Sequence, residues 1–454
     1  MLIFNNLLIN NNSVRFQPFL VNLLSGRRRL LNDSEIQIIR SMALKGRLDT
    51  FNEEEAKLYS KLILEKQFLI DENRKLLENK LMNMGFFENK KKYAEDYRFS
   101  IELTRACNMS CSYCYVRSRK NSGHSMTKDH IDAIYNFYCT YADEQRKIAE
   151  TPYIRITGGE PLISKSTVDM INYIASKWEK SKLILFTNGV NLIKYYNDLP
   201  LTKFEEVHIS LDGIKNIHME RRYSDVKPDN KIYEDIINGV QKLLSDRVNV
   251  KIKTVLDKTN YQVFDEFIKY LEKKDVMNSP YMEVLPGFTL DYQNSLDISE
   301  EANSNFDIQQ IQMYMESINS PPPAFPSYST LFKVLNRPKN EPYIPKHQRC
   351  NSQFLANYYF SCNGKVYFCD CFNESQGIIG SYFPKISIDE TTISNLLNRS
   401  VMKDEGCKEC AYKFVCLGGC PISARSKGNL KSCGIYAEED ILDNIEYNYS
   451  WINT

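Results

Sequence analysis

The sequence Cys107-Asn-Met-Ser-Cys111-Ser-Tyr-Cys114 places three thiols in one short loop, directly after a strand predicted at 97–104. Three cysteines are one ligand fewer than a tetrahedral zinc ion or a cubane iron-sulfur cluster takes from cysteine alone. No His or Asp lies beside them to complete a zinc site, so zinc is the weaker interpretation. We therefore interpret the segment as the binding loop of an iron-sulfur cluster in which one iron stays open to another ligand.

The composition of the whole chain excludes several classes of protein. The 454 residues are 43% hydrophobic and carry a formal net charge of +1. This balance gives no electrostatic reason to expect nucleic acid or an anionic membrane as a partner. No apolar stretch is long enough for a membrane span, and we recognise no signal peptide, so we expect a cytoplasmic protein.

The 13 cysteines are unevenly distributed along the chain. None precedes Cys107, and nine lie between residues 350 and 433. Their number is odd, the chain is long and no secretion signal is recognised, so they indicate metal ligands in a reducing compartment rather than disulfides. Cys139 lies in a helical pattern and is expected to be a small core residue.

Strand-like and helix-like segments alternate in the middle of the chain. The predicted strands cover 97–104, 153–157, 182–187, 205–211, 248–256 and 281–285, and the predicted helices between them cover 129–147, 166–180, 233–244 and 263–273. Such alternation is typical of parallel strands with helices outside. Six units are too few for a closed eight-fold barrel, so we predict an α/β fold with an open, partial (β/α)6 barrel. Its chemistry is expected at the carboxyl ends of the strands.

The remaining chain is predicted to form further domains on either side of this barrel, which we assign to 96–290. Residues 1–95 are expected to form a small α+β module, either winged-helix-like or a plain extension that caps the barrel. Its predicted elements are a strand at 2–8 and helices at 33–44, 53–66 and 72–81. A linker helix and connector are expected at 291–345, followed by a cysteine-rich domain at 346–454.

The spacing C-x3-C-x2-C, with the aromatic Tyr113 before the third cysteine, resembles the radical S-adenosylmethionine (SAM) superfamily. The resemblance implies that SAM chelates the open iron and is cleaved by one electron to a 5′-deoxyadenosyl radical. Gly158-Gly159-Glu160, after the second predicted strand, resembles the GGE motif of that family. In this interpretation the two glycines let the backbone approach the ligand, and Glu160 accepts a hydrogen bond from the SAM ammonium group.

Two more segments lie at the ends of successive strands. Thr187-Asn188-Gly189 ends the third strand and Ser210-Leu211-Asp212-Gly213 ends the fourth, where the hydroxyl of Ser210 suits a ribose. Taken singly, both are ordinary turn sequences. Arg222, or else Arg221, resembles the basic residue that pairs with the SAM carboxylate. The resemblance thus implies these cofactor-binding residues: Tyr113, Gly158, Gly159, Glu160, Asn188, Ser210 and Arg222.

The later cysteines are similar to the SPASM domain, a C-terminal extension with two auxiliary 4Fe-4S clusters. The resemblance implies three 4Fe-4S clusters in all, with a pair of structural zinc sites as the alternative for this region. It assigns the second auxiliary cluster to Cys407, Cys410, Cys416 and Cys433, and the first to Cys350, Cys369 and Cys420. Ala356 stands where some members have a fourth cysteine. Cys362 is the preferred replacement, Cys371 is another, and an open site is the third possibility.

Asp370 follows Cys369 directly. In the sulfatase-maturating branch of the family an aspartate at a similar place is a general base, and a carboxylate beside a cluster is suited to accept a proton. The alternative is that Asp370 only makes a local turn hydrogen bond.

Within this family we favour a maturase that crosslinks or otherwise oxidises residues of a ribosomally made precursor peptide, through thioether or carbon-carbon bonds. The N-terminal module resembles small peptide-recognition modules, which can bind a leader peptide by strand addition. The runner-up is an anaerobic sulfatase-maturating enzyme that forms formylglycine, and a non-catalytic metal-binding scaffold is the alternative of another class. The expected partners are the peptide or protein substrate and an electron donor such as flavodoxin or ferredoxin.

Overall fold

The structure is a computed structural model, and its described residues fall into two compact units. One lies within 92–318 and 351–397, and the other within 1–91, 319–350 and 398–454. The described residues are 2–3, 6–9, 19–22, 28–45, 50–64, 98–114, 124–139, 152–223, 231–257, 260–288, 357–369, 377–397, 399–400, 404, 407 and 417–418. The predicted helix at 72–81 and the linker at 291–345 lie outside them. Among the described helices, none is both long and apolar enough to cross a membrane.

The N-terminal residues form an antiparallel sheet with the strand order β1-β2-β3-β4, next to two helices. The elements are β1 (Leu2–Ile3), β2 (Asn6–Ile9), β3 (Phe19–Asn22), β4 (Arg28–Leu30), α1 (Asp33–Lys45) and α2 (Glu53–Leu64). Leu20 of β3 packs with apolar side chains that recur every three or four residues on both helices, among them Ile36, Ile39 and Leu62. This period places one face of each helix in a common core.

A reciprocal hydrogen-bond pair starts α2 and fixes it to α1. The Asn52 side chain accepts from the Glu55 amide at 2.9 Å, and Glu55 Oε2 accepts from the Asn52 amide at 2.8 Å. This is the geometry of a capping box. Glu55 also accepts from Ser41 Oγ and Lys45 Nζ of α1, both at 2.6 Å. The two predicted helices are thus present, whereas a winged-helix relationship stays a prediction.

Six parallel strands form the main sheet of the other unit, as the sequence predicts. They are β5 (Arg98–Glu102), β6 (Tyr153–Thr157), β7 (Lys182–Thr187), β8 (Phe204–Ser210), β9 (Val250–Leu256) and β10 (Met282–Phe288). Each pairs in parallel with the next along the chain. Between β5 and β10 the helices are α3 (Lys128–Phe137), α4 (Lys165–Lys177), α5 (Leu192–Tyr195), α6 (Lys215–Arg222), α7 (Ile232–Ser245) and α8 (Phe264–Lys273).

A second group of strands extends this sheet beyond β5. The added elements are β11 (Asn357–Phe360), β12 (Lys365–Tyr367), β13 (Ile378–Ser381), β14 (Ser387–Ile388) and the helix α9 (Glu390–Leu397). β11 runs parallel to β5, and β12 to β14 follow as antiparallel neighbours. No described pairing joins β10 to β14, so the sheet is open, as predicted for a partial barrel.

The two faces of the six parallel strands differ in chemistry. Alternate side chains on one face are at most 1% exposed and apolar: Phe99, Ile101, Ile154, Ile156, Leu183, Leu185, Val207, Ile209, Val250 and Ile252. The Phe99 ring lies 5.8 Å from Trp178, just after α4, so this is the face that the helices cover. Strand side chains alternate between faces. The opposite, inner face therefore carries the polar and charged residues of β6, β8 and β9, with Ile184 and Phe186 of β7 between them.

Candidate functional site

The three-cysteine loop lies at the carboxyl ends of the parallel strands and is attached to the end of α6. The Ser110 amide donates to the Arg222 carbonyl at 2.9 Å, and the Ser112 amide donates to the Arg221 carbonyl at 3.1 Å. A third bond, from the Cys114 amide to the Cys111 carbonyl at 3.2 Å, turns the loop back on itself. The backbone of the loop is therefore held by hydrogen bonds to α6 and within the loop itself.

The two glycines after β6 accommodate the chain's own backbone. Gly158 has a φ of +149°, and a Cβ there would lie 2.3 Å from the Thr104 carbonyl oxygen. A Cβ on Gly159 would lie 2.4 Å from the Ala106 carbonyl oxygen. The Gly159 amide donates to Thr104 at 2.7 Å. Both positions thus require glycine because the segment that leads into Cys107 passes close to them. The sequence analysis had expected the two glycines to make room for a ligand instead.

Glu160 connects the ends of β6 and β7. Its side chain is fully buried, and Oε1 accepts from the Leu162 amide at 2.9 Å and from Thr187 Oγ1 at 2.6 Å. Oε2 accepts from the Asn188 amide at 2.7 Å. Burial raises the pKa of Glu160 despite these donors. One donor leaves room at Oε2 for a second, so the predicted bond from a SAM ammonium group is compatible with this geometry.

Asn188 brings the end of β7 to the cysteine loop. Its Nδ2 donates to Asn108 Oδ1 at 2.7 Å and lies 4.0 Å from Cys107 Sγ. Its own Oδ1 accepts from the Val190 amide at 3.0 Å, which fixes the orientation of the amide group. The side chain therefore presents an N–H donor to the first predicted sulfur ligand.

Asp212 is the main ionic contact beneath the loop, and the sequence had suggested only a turn residue. It is 1% exposed and accepts from Arg222 Nε at 2.9 Å and Arg222 Nη2 at 3.0 Å. It also accepts from the Val255 amide at 3.1 Å and from the Tyr113 hydroxyl. Burial alone would raise the pKa of Asp212, but the charge of Arg222 outweighs it and the net pKa is lowered.

Both arginines proposed for the SAM carboxylate have carboxylate partners within the chain. Arg222 is paired with Asp212, and its Nη1 lies 3.9 Å from Cys111 Sγ. Arg221 Nη1 contacts both oxygens of Asp257, at 2.8 and 2.7 Å. Their guanidinium groups lie 5.6 and 5.0 Å from the Tyr113 ring centroid. The role of Arg222 toward SAM stays a prediction, and the structure adds its contact with a cysteine sulfur.

The remaining predicted residues are only partly described. Ser210 is the last residue of β8, at the strand end where it was predicted, and it is half-buried. Cys362 is buried with its thiol 3.6 Å from Glu102 Oε2, and burial followed by Glu102 raises the pKa of the thiol to about 12. Cys369 is half-buried, and Cys407 is buried in the other unit. The following lie outside the described residues: Cys350, Asp370, Cys371, Cys410, Cys416, Cys420 and Cys433.

One expectation was wrong. Cys139 was predicted to be a core residue, but it is exposed just beyond the end of α3. Tyr135 is half-buried on the same helix, and the side chains that enter the core are Ile131, Ile134 and Phe137. Cys139 is not three or four residues away from any of these core positions, so it lies off the buried face of the helix.

The loop fits an iron-sulfur cluster by the chemistry of its donors. Within the described ranges, no three His, Cys, Asp or Glu side chains converge on one metal ion. A cubane cluster does not require this, because each thiolate binds a different iron. Two of the three sulfurs have an N–H donor nearby, from Asn188 and Arg222. Such donors stabilise negative charge on cluster sulfurs and affect the reduction potential.

His218 is a buried titratable residue that the sequence analysis did not single out. Its side chain is fully buried in α6, and its Nδ1 accepts from the Asp212 amide at 3.4 Å. Burial, and next the charge of Arg222, lower the pKa of His218 to about 3. The ring is therefore neutral in the folded protein at neutral pH.

This histidine predicts a loss of stability in acid. Its folded pKa lies below the ordinary value of 6.5, so between pH 6.5 and about 3 the unfolded chain binds a proton that the folded protein does not. Its contribution is complete above pH 6.5 and falls by about 1.4 kcal/mol per pH unit below it. Urea unfolding at pH 7 and pH 5 should show about 2 kcal/mol less pH dependence in His218→Gln than in the wild type. The matched control is His124→Gln, at an exposed position, which should keep the wild-type dependence. Equal dependence in all three proteins would contradict the prediction.

Comparison with known proteins supports the interpretation of the cysteine loop. The Radical SAM superfamily profile matches residues 101–271. A GTP 3',8-cyclase from Clostridium perfringens (strain SM101 / Type A) is 29% identical over 206 residues, which are 43% of this chain and 58% of that protein. The same enzyme from strain 13 is 31% identical over 174 residues, 37% of this chain and 49% of that protein. The chain thus spans about half the length of these curated relatives.

Two solved structures share the fold over a larger part of the chain. Streptococcus suis SuiB bound to its precursor peptide SuiA has a TM-score of 0.52 at 14% identity, covering 94% of this chain and 97% of that one. The structure of anSMEcpe with bound AdoMet and the Cp18Cys peptide has a TM-score of 0.52 at 16% identity, covering 78% and 96%. Because both identities are low, these two structures show a similar fold and no more. The profile match and the cysteine loop at the strand ends show that this chain contains a radical SAM domain within residues 101–271.

Proposed function

We propose that this protein is a peptide maturase that cleaves SAM reductively and oxidatively modifies or crosslinks residues of a ribosomally made precursor peptide. The observation that carries the proposal is the extent of the fold likeness to SuiB, a protein solved with its precursor peptide, over 94% of this chain. The likeness to SuiB includes segments before and after residues 101–271, the part matched by the superfamily profile. Such additional segments can recognise a large substrate.

The N-terminal sheet supports this proposal with a surface for an extended peptide. Among the described strands of this sheet, β1 and β4 are the edges, and an edge strand can pair with an added peptide strand. Leu30 on β4 is 61% exposed, which suits an apolar side chain of a leader peptide. We therefore propose β4 as the place where the leader binds.

The residues of the site have distinct tasks in this mechanism. When bound, a 4Fe-4S cluster supplies the electron that cleaves SAM to a 5′-deoxyadenosyl radical. Arg222 and Asn188 direct N–H groups at two cysteine sulfurs and so stabilise negative charge there. Glu160 holds the ends of β6 and β7 together beside the loop, and Asp212 holds Arg222 and Tyr113 in place. Preorganised donors of this kind need no rearrangement when the charge changes.

Two auxiliary clusters are part of the proposal, with the cysteines assigned by resemblance to the SPASM domain. A crosslink removes two hydrogen atoms from the peptide. The 5′-deoxyadenosyl radical would take one of them, and the other would leave as a proton and an electron. The auxiliary clusters, held by the cysteines assigned above, would accept the electron. Asp370 is the proposed base for the proton, and flavodoxin or ferredoxin the proposed reductant of the first cluster.

The test uses anaerobically purified and reconstituted protein with SAM and a reductant. We expect about twelve irons per chain if all three clusters are cubanes, and release of 5′-deoxyadenosine. A short peptide encoded next to this chain should lose two hydrogen atoms by mass spectrometry, and only when SAM is present. Colourless protein that contains zinc would instead support a non-catalytic scaffold.

GTP cyclisation is the second candidate, because the sequence relatives named above carry that activity. They match this chain over only about half of their own length. The same reconstituted protein, supplied with GTP in place of a peptide, distinguishes the two: consumption of GTP with SAM would replace our proposal. Formation of formylglycine in a sulfatase peptide would favour the sulfatase-maturating alternative.

A further inference from the structure

A group of charged side chains lies on the inner face of the parallel sheet, close to the predicted SAM site. The pairing of β8 with β9 sets Ser210 beside Lys253 and His208 beside Lys251. Arg155 of β6 lies on the same inner face, because its neighbours Ile154 and Ile156 are fully buried on the opposite face. We refer to Arg155, His208 and Lys253 as the inner-face site.

The cations of this face differ in their partners. Lys251 contacts Glu206 at 2.7 Å and Glu283 at 3.4 Å. For Lys253 and Arg155, by contrast, no carboxylate lies within ion-pair distance among the residues that the structure describes. Burial lowers the pKa of Lys253, and the charges of Lys251 and Arg155 lower it further. The charge of Arg155 is among those that act on Lys253, so an anion bound between the two side chains would be stabilised by both.

His208 adds an acceptor to the same site. It is 7% exposed, and its Nε2 donates to Glu206 Oε2 at 2.7 Å. Its Nδ1 is buried with no hydrogen-bond partner in the described part of the chain. Burial lowers the pKa of His208 in spite of Glu206, and Lys253 lowers it further, so the ring is neutral and Nδ1 is an acceptor. A buried acceptor without a donor is unfavourable unless a ligand supplies one.

The net charge of this face limits the charge of an anion that can bind there. The charged groups that act on Lys253 are Lys251, Arg155, Glu206 and Glu283. With Lys253 itself, three cations oppose two carboxylates while His208 is neutral, so the net charge is about +1. One carboxylate neutralises this face, whereas the triphosphate of a nucleotide would bring a large excess of negative charge.

We propose that the inner-face site binds one carboxylate of the peptide substrate between Arg155 and Lys253, while His208 Nδ1 accepts a hydrogen bond from a neighbouring peptide N–H. This inference rests on the proposed function and specifies its substrate: the peptide carries an aspartate, a glutamate or its own C-terminus near the residue that is modified. Because Ser210 lies beside Lys253, the carboxylate would hold the peptide next to the predicted SAM ribose.

Lysine footprinting tests this without any radical chemistry. The reconstituted protein, without SAM or reductant, is treated with an amine-acetylating reagent, and acetylation of Lys253 is followed by peptide mass spectrometry. The probes are acetyl-Gly-Asp-Gly-amide, its Asn counterpart and acetyl-Gly-Gly-Gly with a free C-terminus. At about three times its Kd, a bound probe slows acetylation of Lys253 by about fourfold. The exposed Lys194 reports the intrinsic reactivity of the reagent in each sample.

We expect protection of Lys253 by the Asp probe, by the free C-terminus or by both, and none by the Asn probe. The comparison of the two carboxylate probes tells a side chain from a terminus as the source. Arg155→Gln should remove the protection and Arg155→Lys should retain it, which separates loss of charge from loss of folding. Equal protection by the Asp and Asn probes, protection by SAM alone, or stronger protection by tripolyphosphate would each overturn the proposal. Since no SAM cleavage is involved, these outcomes are independent of whether the peptide-maturase proposal succeeds.

Discussion

Asp212→Asn is expected to destabilise the folded protein by about 3–5 kcal/mol, the usual effect of removing one partner of a buried ion pair. Arg222 would lose both bonds to a charged acceptor and remain buried, and the Tyr113 hydroxyl would lose its carboxylate. Urea unfolding at pH 7 of the reconstituted protein measures the loss. Because Arg222 also approaches Cys111 Sγ, we expect a lower iron content in this variant as well.

The control for this variant is Asp169→Asn. Asp169 pairs with Lys165 on α4, but its side chain is 53% exposed, so water solvates the lysine once the pair is broken. We expect no measurable change in unfolding free energy or iron content. If Asp212→Asn were as stable as this control, the ion pair beneath the loop would not have the structural role that we assign to it.

Cys111→Ser is expected to lower reductive SAM cleavage by at least about 100-fold. Mutating a residue that only hydrogen-bonds a metal ligand already costs up to that factor, and Cys111 is a ligand itself. Serine is a poor ligand for iron, and Arg222 Nη1 would lose the sulfur that it approaches. The measurements are 5′-deoxyadenosine release and iron per chain under anaerobic conditions. We expect the loss of about four irons, the content of one cubane.

Cys139→Ser is the matched control, because it makes the same substitution at an exposed cysteine of the same unit. It should keep the wild-type iron content and SAM cleavage. Full SAM cleavage by Cys111→Ser would refute the assignment of this loop. A loss in both variants would point to general damage by the substitution.

The barrel was largely predictable from local patterns, and the N-terminal sheet was not. Strands β5 to β9 carry buried apolar residues and alternate with amphipathic helices, so each stands out from its neighbours in sequence. By contrast, β4 consists of Arg28, Arg29 and Leu30, a composition that does not indicate a strand. Arg29 is accommodated there because it pairs with Glu35 at 2.6 Å, a contact that exists only once the sheet and α1 have come together.

Motifs predicted which segments meet but not what holds them. The order of the Cys107 loop, Gly158-Gly159-Glu160 and Asn188 along successive strands was enough to expect them at one edge of the sheet. The pairing of Asp212 with Arg222 was not expected, because Asp212 lies in the loop after β8 and Arg222 ends α6, so the contact depends on how the two elements pack. In the same way, the addition of β11 next to β5 joins segments more than 250 residues apart, and no local pattern encodes it.

The sequence by itself indicated the cluster-binding loop and determined the order of strands and helices in the parallel sheet. Ligand spacing and strand-helix alternation are local properties, and a short stretch of chain contains all the information that they need. Only the tertiary structure decided which buried charges neutralise each other and which have no carboxylate partner among the described residues. The three cysteines at the start of the site show both sides: their spacing indicated the cluster, whereas the donors at their sulfurs come from Asn188 and Arg222, 81 and 111 residues away along the chain.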